Sequence, residues 1–243
     1  MKIALIGYGK MGKTIEKLAA IQGHEIVLKI NRENAKELTI ENLKKADVAI
    51  EFSTPNAVVD NILLCLQAQV PIVIGTTAWS SHKNEIEDKC NTLNGAMLAA
   101  SNFSLGVNLF FELNHKLAQL MAPYQQYKIS LGEIHHTAKL DAPSGTAITL
   151  ADEILSQNKA YLNWENQEKT EKDILPIHSI RLPDVPGTHE IKYTSNEDII
   201  EIKHTAMNRE GFAIGAMIAA AWIIGKKGVF KMKDVLNLGE HPF

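Results

Sequence analysis

Cysteine is scarce in this sequence: Cys65 and Cys90 are the two among 243 residues. They form no CxxC and no metal-ligand spacing, and both fall in helix-like segments. A disulfide scaffold and a cysteine-held metal are excluded, and free thiols are expected. Proline (8) and glycine (15) are too few for a disordered or fibrous chain, and 45% hydrophobic with 22% charged residues is a globular composition. Neither sign of charge is in surplus. Lys and Arg number 25 against 28 Asp and Glu, a net charge of -3, which excludes a general binder of nucleic acid or of anionic membranes. Long hydrophobic runs are missing too. The longest, residues 212–225, falls short of the roughly 20 residues that a membrane-spanning helix needs. The first residues lack a cleavage site and lead straight into a motif, so no signal peptide and a cytoplasmic location are expected. The length suits one or two domains.

What is present is a change of pattern part-way along the chain. Over the first hundred residues the apolar runs at 2–6, 25–30, 47–52, 71–74 and 96–99 read as strands. Between them, 13–22 and 56–69 read as helices, the second starting after Thr54-Pro55 with proline in its first turn. Strand and helix in alternation imply βαβ units and a parallel sheet. After Asn102 a helical pattern covers 107–121, with Leu109, Leu113, Leu117 and Leu120 on one face. Strand-like runs follow at 128–136, 177–182, 188–194 and 199–204, interrupted by one helix at 146–156. This reads as α+β on a mostly antiparallel sheet. The polar stretch 158–173 is expected to be a mobile loop, and a last helix at 213–224 precedes a short tail.

Gly7-Tyr8-Gly9-Lys10-Met11-Gly12 is a GxGxxG. Such a pattern is weak alone, but here it follows an apolar run directly and opens a helix. Gly7 makes the tight turn, Gly9 lets the backbone approach a pyrophosphate, and Gly12 permits close helix–strand packing. The helix N-terminus offers free N–H groups to the phosphates. The competing reading is an ordinary β–α turn. At the end of the second strand, where an NAD-selective site carries an acid, stands Asn31, followed by Arg32 and Glu33. Arg32 suits a 2′-phosphate through its planar fork, which favours NADPH, with NADH also accepted. A merely solvated turn is the alternative.

Residues 133 to 146 read Glu-Ile-His-His-Thr-Ala-Lys-Leu-Asp-Ala-Pro-Ser-Gly-Thr. His135 and His136 on a strand would point to opposite faces, so one can face a reacting centre while the other serves differently. Histidine titrates near neutrality and suits proton transfer. Lys139 follows in a loop. Pro-Ser-Gly-Thr then opens a helix whose Gly145 and Thr146 N–H groups are ready for a carboxylate. The segment can hold an anionic substrate and protonate it. A structural histidine pair beside a capped helix is the alternative. The spacing is not HExxH and no cysteine accompanies it, so no metal is expected.

Glu133-Ile134-His135-His136, Lys139 and Asp141-Ala142-Pro143-Ser144-Gly145-Thr146-Ala147 closely resemble the signature of the bacterial 4-hydroxy-tetrahydrodipicolinate reductase (dihydrodipicolinate reductase) family. Gly75-Thr76-Thr77 looks like that family's cofactor turn. Ala100-Ser101-Asn102-Phe103-Ser104, leading into Gly106-Val107-Asn108, resembles its hinge segment and is assigned to the cofactor side. His204-Thr205-Ala206, Asn208-Arg209 and Phe212-Ala213 with Gly215-Ala216 resemble its C-terminal stretch, as does Met232 with Asp234-Val235-Leu236. The likeness runs end to end. Residues 31–46 are short beside longer members, so the chain resembles a trimmed branch. Arg181, Gly187 and His189 match the family, whereas Pro183 stands where members often carry glycine.

The resemblance implies an α/β fold with two domains. Residues 1–104 form a Rossmann parallel-sheet domain for the nicotinamide nucleotide, with 213–243 packing back on it. Residues 105–212 form an α+β domain that binds substrate and builds a homotetramer through its sheet. The implied activity is NAD(P)H-dependent reduction of a cyclic dicarboxylic imine on the route to diaminopimelate and lysine. Carried over, His135 is the proton donor and acceptor and Lys139 a second proton donor. His136 binds substrate, and Gly145 and Thr146 hold a carboxylate. No nucleic-acid or membrane partner is expected.

Two rivals differ in class. Sugar and inositol dehydrogenases of similar N-terminal fold carry Glu-Lys-Pro where this chain has Gly75-Thr76-Thr77. The Tyr124/Lys128 pair has short-chain-dehydrogenase spacing, but it runs into a strand and lacks the shared helical face that chemistry needs. A redox-sensing Rossmann module that is no enzyme would leave His135, His136 and Lys139 without a task.

Overall fold

The computed structural model describes residues 1–167, 171–208 and 210–238. Arg209, residues 239–243 of the tail and 168–170 of the polar stretch lie outside the described residues. In chain order the elements are β1 (Lys2–Ile6), α1 (Lys10–Ile21), β2 (Glu25–Ile30), α2 (Ile40–Leu43), β3 (Val48–Glu51), α3 (Val58–Gln67), β4 (Ile72–Ile74), α4 (Lys83–Thr92) and β5 (Ala96–Ala99). There follow α5 (Leu105–Met121), β6 (Lys128–His135), α6 (Gly145–Gln157), β7 (Asn163–Glu165), β8 (Ile174–Arg181), β9 (Gly187–Thr194) and β10 (Ile199–Ala206). The chain ends in α7 (Glu210–Ile223), β11 (Gly228–Phe230) and α8 (Met232–Val235). Two compact units result: Met1–Leu105 together with the chain from Glu210 onward, and the residues between.

The first unit is a six-stranded sheet in the order β11-β5-β4-β3-β1-β2, with every pairing parallel. Its strands are short apolar runs because both faces are covered. Ile3 and Leu5 pack with Ile15 of α1 and Ala216, Met217 and Ala220 of α7. Ala4 and Ile6 turn to the opposite side, against Val58, Ile62 and Leu66 of α3 and Ile86 of α4. The period-two alternation of one strand thus feeds two cores. Strand order reverses between β1 and β3, which opens a crevice beyond their carboxyl ends. Cys65 and Cys90 are buried free thiols, and burial pushes both pKa values up.

The second unit is a five-stranded mixed sheet in the order β10-β9-β6-β8-β7. Its antiparallel ladders, β10 with β9 and β9 with β6, join eight and seven residue pairs. The parallel ladders, β6 with β8 and β8 with β7, join five and three. The expected antiparallel character therefore holds for the larger share, and the parallel part arises because α6 and β7 intervene before β8. One face carries the core: Ile129, Leu131, Ile177, Ile191 and Tyr193 meet Leu150 and Ile154 of α6 and Phe110, Ala118 and Met121 of α5.

One local expectation is corrected, and the buried face of α5 is defined. Of the four leucines on one face of α5, Leu109, Leu113 and Leu120 are 46%, 51% and 70% exposed, and Leu117 is partly buried against the core. The face turned inward is Phe110, Asn114, Ala118 and Met121. Asn114 interrupts the apolar pattern, and it is tolerated because its amide donates to Leu150 O (3.1 Å) and Glu153 Oε2 (2.9 Å). The polar stretch 158–173, expected to be a loop throughout, contains β7. There Trp164 packs against the core and its indole N–H donates to Asp152 at 3.1 Å.

Candidate active site

The site in the second unit is built on the inner face of β6. The burial of this strand alternates, so Ile129, Leu131, Glu133 and His135 all point inward. The first two are ordinary core residues. Glu133 is a fully buried carboxylate, and a buried charge is costly unless paired and hydrogen-bonded. Its Oε1 accepts from both terminal nitrogens of Arg181 at 3.3 Å. The Ser144 N–H reaches the two carboxylate oxygens at 3.2 and 3.1 Å. Nδ1 of His135 lies 3.4 Å from Oε2, and Nε2 of His189 lies 3.7 Å from it. Burial would raise the Glu133 pKa, but the donors around it, His189 first and then Ser144, outweigh it and hold the carboxyl well below the usual range.

His135 is pushed the opposite way. Burial lowers its pKa to about 4; Glu133 opposes the shift, while His189, Lys139 and Arg181 add to it. The His135 and His189 rings meet edge to face at 5.1 Å. Gly187 lies beside the His135 ring, and a Cβ there would come within 3.1 Å of Nε2. The resting imidazole is therefore neutral at pH 7 and becomes a proton carrier when negative charge arrives beside it.

Residues 136–144 leave β6 and return to α6. Lys139 is in a turn closed by its N–H donating to His136 O at 3.1 Å, and its ammonium pairs with Asp141 at 2.8 Å. Arg181 Nη2 donates to Asp141 O at 2.6 Å, so the base of the loop is tied to the end of β8. Ser144 caps α6, accepting from Ala147 N at 3.2 Å. Gly145 and Thr146 thus occupy the first helical positions, where N–H groups face outward, and nothing stands within 4 Å of where a Gly145 Cβ would be. His135, His136, Lys139, Gly145 and Thr146 lie within one strand end, one loop and one helix start.

The first unit carries a cleft of about 510 Å³ at the crevice beyond β1 and β3. It is lined by Gly7, Tyr8 and Gly9, by Asn31, Arg32 and Glu33, and by Ser53 and Asn61 among others. The glycines fit a nucleotide. At Gly7, with φ of +95°, a Cβ would meet Phe52 O at 2.1 Å; at Gly12 it would meet Gly7 O at 2.5 Å; at Gly9 there is open space. No side chain caps the N-terminus of α1, which leaves Lys10 and Met11 to present their N–H groups. The Tyr8 hydroxyl donates to Glu16, which also pairs with Lys29 at 3.1 Å. Asn31 Oδ1 accepts from Glu33 N (2.8 Å) and Asn34 N (3.1 Å), a self-closed turn with Arg32 at its exposed tip.

Gly75, Thr76 and Thr77 follow β4, where a Cβ on Gly75 would strike the Phe52 ring at 2.0 Å. Thr76 Oγ1 accepts from Ser53 N at 2.9 Å. A second hollow, about 270 Å³, is lined by Thr76, Thr77, Ala100 and Ser101. Asn102 accepts from Ser104 N at 2.9 Å. Phe103 is a core residue, 2% exposed, so its ring is turned away from solvent.

Residues 1–103 match the family described as dihydrodipicolinate reductase, N-terminus, and residues 106–236 match its C-terminus. The chain belongs to the dihydrodipicolinate reductase family. The 4-hydroxy-tetrahydrodipicolinate reductase of Christiangramia forsetii is 48% identical over 241 residues, covering 98% of each chain. That of Methanoregula boonei is 34% identical over 262 residues, also 98% of each. A solved structure, the dipicolinate-bound dihydrodipicolinate reductase of Paenisporosarcina sp. TG-14, matches with a TM-score of 0.76 at 25% identity, covering 95% of this chain and 97% of that one. Membership makes the protein a nicotinamide-nucleotide-dependent oxidoreductase of the diaminopimelate and lysine route.

For a dihydrodipicolinate reductase, the sequence reading left Glu133, Ser144, Arg181 and His189 without a role. Arg181 and His189 show nothing locally, because they reach Glu133 only through strand pairing: His189 lies opposite Glu133 in the β6–β9 ladder, and Arg181 is in register with His135 on β8. Glu133 did carry a signal. It stands two residues before His135, which on a strand means the same face. In the first unit Glu51 went unremarked. It is fully buried and accepts from Ser53 N at 3.0 Å and Asn61 Nδ2 at 3.3 Å, both cleft residues.

Proposed function

We propose that this chain reduces 4-hydroxy-tetrahydrodipicolinate to tetrahydrodipicolinate, with His135 and Lys139 as proton donors and NADPH preferred over NADH. The observation that carries the reading is the cluster around one loop: an imidazole, an ammonium and the helix start at Gly145 and Thr146. The overall change consumes one hydride and one proton and releases water. When bound, the reduced nicotinamide supplies the hydride. The chain must then neutralise the negative charge that hydride attack leaves on a conjugated imine. His135, neutral at rest, gains a proton beside the anionic substrate and passes it on. Lys139 supplies positive charge and a second proton; one donated proton leaves with the hydroxyl as water while a ring proton returns to the chain, so the net uptake stays at one, and the pairing with Asp141 gives way to a substrate carboxylate. His136 orients the substrate, and Gly145 and Thr146 hold a carboxylate. A dicarboxylate suits this collection of cations and donors, and dipicolinate in the Paenisporosarcina relative is one.

The nucleotide belongs to the first unit, with its pyrophosphate at Gly7–Gly12 and support from Gly75–Thr77 and from Ala100 to Phe103. The NADPH preference rests on Arg32 at the exposed tip of a turn in which Asn31, not an acid, stands at the end of β2 and is engaged within the turn. Residues 213–243 belong with that domain, and 105–212 serve substrate binding and assembly. A homotetramer fits the second sheet, one face of which bears no helix among the described residues, and a cytoplasmic location fits a biosynthetic enzyme of this family. Among the described residues no helix is long and apolar enough to cross a membrane.

The test generates the substrate in situ from pyruvate and aspartate semialdehyde with the preceding synthase and follows reduced-nicotinamide absorbance. Loss that needs both proteins is expected, faster with NADPH. His135→Gln and Lys139→Ala should each lower turnover by about 100-fold or more while nucleotide binding persists. Undiminished turnover in either variant removes that residue from the mechanism.

A further inference from the structure

We propose that Glu133 is a positioning residue for the reduction: its buried carboxylate sets the ring of His135 with Nδ1–H turned inward, leaving Nε2 to exchange the proton, and anchors the loop that bears Lys139. The proposal rests on the reading of His135 as the proton donor.

Three geometric facts support it. First, of the two His135 ring nitrogens, Nδ1 is sealed from solvent and lacks a hydrogen-bond partner, and the acceptor facing it is Glu133 Oε2 at 3.4 Å. A sealed N–H has a place beside a carboxylate, whereas a sealed lone pair there would face negative charge. The inward nitrogen is therefore the protonated one in the neutral ring. The present spacing is looser than a hydrogen bond, as resting sites often are before substrate binds.

Second, Oε2 is the less heavily engaged oxygen. Oε1 is engaged by Arg181 through two nitrogens, and the Ser144 N–H bridges both. His189, the other group near Oε2, has its Nε2 within 3.1 Å of Ser144 Oγ. The carboxylate is thus held on three sides and presents its remaining edge to His135. This is the arrangement by which an acid orients a catalytic imidazole and stabilises its charged form.

Third, Glu133 closes the loop mechanically. It lies on β6 just before residues 136–144, it binds the N–H of Ser144 at their far end, and its partner Arg181 donates to Asp141 O within them. Lys139 and the helix start at Gly145 are carried between these ties. The groups that act electrostatically on His135 are Glu133 on its own strand, His189 on β9, Arg181 at the end of β8 and Lys139 on the loop. Glu133 is the anion among them.

Glu133→Gln keeps shape and an acceptor for Ser144 but deletes the charge. We expect kcat to fall at least about tenfold with KM changed less than about threefold, and the alkaline limb of the kcat–pH profile to move to lower pH. Glu133→Asp should return that limb toward its original position, because the charge is restored. A limb that stays in place in both variants overturns the proposal. Should Glu133→Gln fail to fold, the wild-type enzyme decides. Histidine ring nitrogen NMR, with His135→Gln as the assignment control, should show the Nδ1–H tautomer, and the Nε2–H tautomer overturns the idea. Full turnover in His135→Gln would instead bring down the reading beneath it, a separate outcome.

Discussion

Glu133 and His135 stand two positions apart on one strand, and their surroundings drive both away from protonation. The carboxylate is held ionised by the donors around it, and the imidazole is held neutral by burial. This division gives the site a fixed counter-charge and a group free to gain a proton, the separation that acid–base chemistry at one pH requires. In the first unit Arg32 is the residue whose role is most exposed to test. Arg32→Ala should weaken NADPH binding by about tenfold or more and leave NADH nearly unchanged, as loss of one charged contact to a phosphate implies. Equal losses for the two nucleotides, measured by fluorescence titration, would remove Arg32 as the discriminator.

At the scale of elements, α5 and α6 meet through a polar contact inside an apolar interface. Asn114 donates to Glu153, and Asn114 Oδ1 is buried without a partner. Burial raises the Glu153 pKa to about 7; the Asn114 hydrogen bond opposes the shift and Glu112 adds to it. A carboxyl whose folded pKa lies above its unfolded one costs stability wherever it must ionise, so the cost is fully present above pH 7 and fades toward pH 4.5. Glu153→Gln should therefore raise the urea midpoint at pH 8 and leave it little changed at pH 5. An equal gain at both pH values would mean that packing, not charge, sets the cost. α7 shows the opposite solution. It is small-residue rich because the backbone after β5 presses on it: a Cβ at Gly215 would lie 1.7 Å from Phe103 O.

For the whole molecule, acid is the informative perturbation. His135 has a folded pKa of about 4 against an unfolded value near 6.5. On acidification the unfolded chain takes up that proton first, so stability is lost as pH falls from about 6.5 to 4. Glu133, depressed in the fold, adds a further loss below its unfolded pKa near 4.5. Glu153 works against the first loss over part of the same range. His135→Gln should flatten the decline between pH 6.5 and 4 while keeping the drop below 4.5, read from denaturant midpoints. An unchanged decline would assign it to other groups. Assembly is the second whole-molecule question. The open sheet face carries Lys192 paired with Glu190 (2.6 Å) and Glu201 (3.3 Å), and Lys203 paired with Glu190 (3.3 Å). Light scattering should give four times the 26.9 kDa chain mass, and a monomer at micromolar concentration would sink the tetramer.

The parts legible in the chain were those written in neighbouring residues. β1, the glycine turn and α1 follow from a local period and from steric demands at Gly7 and Gly12. The His135–Lys139–Thr146 segment reads directly because strand end, loop and helix start are contiguous. The partners of Glu133 were not legible, since Arg181 and His189 are 48 and 56 positions away and are delivered by the β8 and β9 pairings. The buried face of α5 was hidden for a related reason. A helix apolar on several sides does not announce which side is covered, and Asn114 disguises the true one until Leu150 and Glu153 are packed against it. Local pattern settles which element forms, because it depends on neighbours along the chain. Which carboxylate is kept charged, and which face is kept dry, depends on groups that only folding brings together.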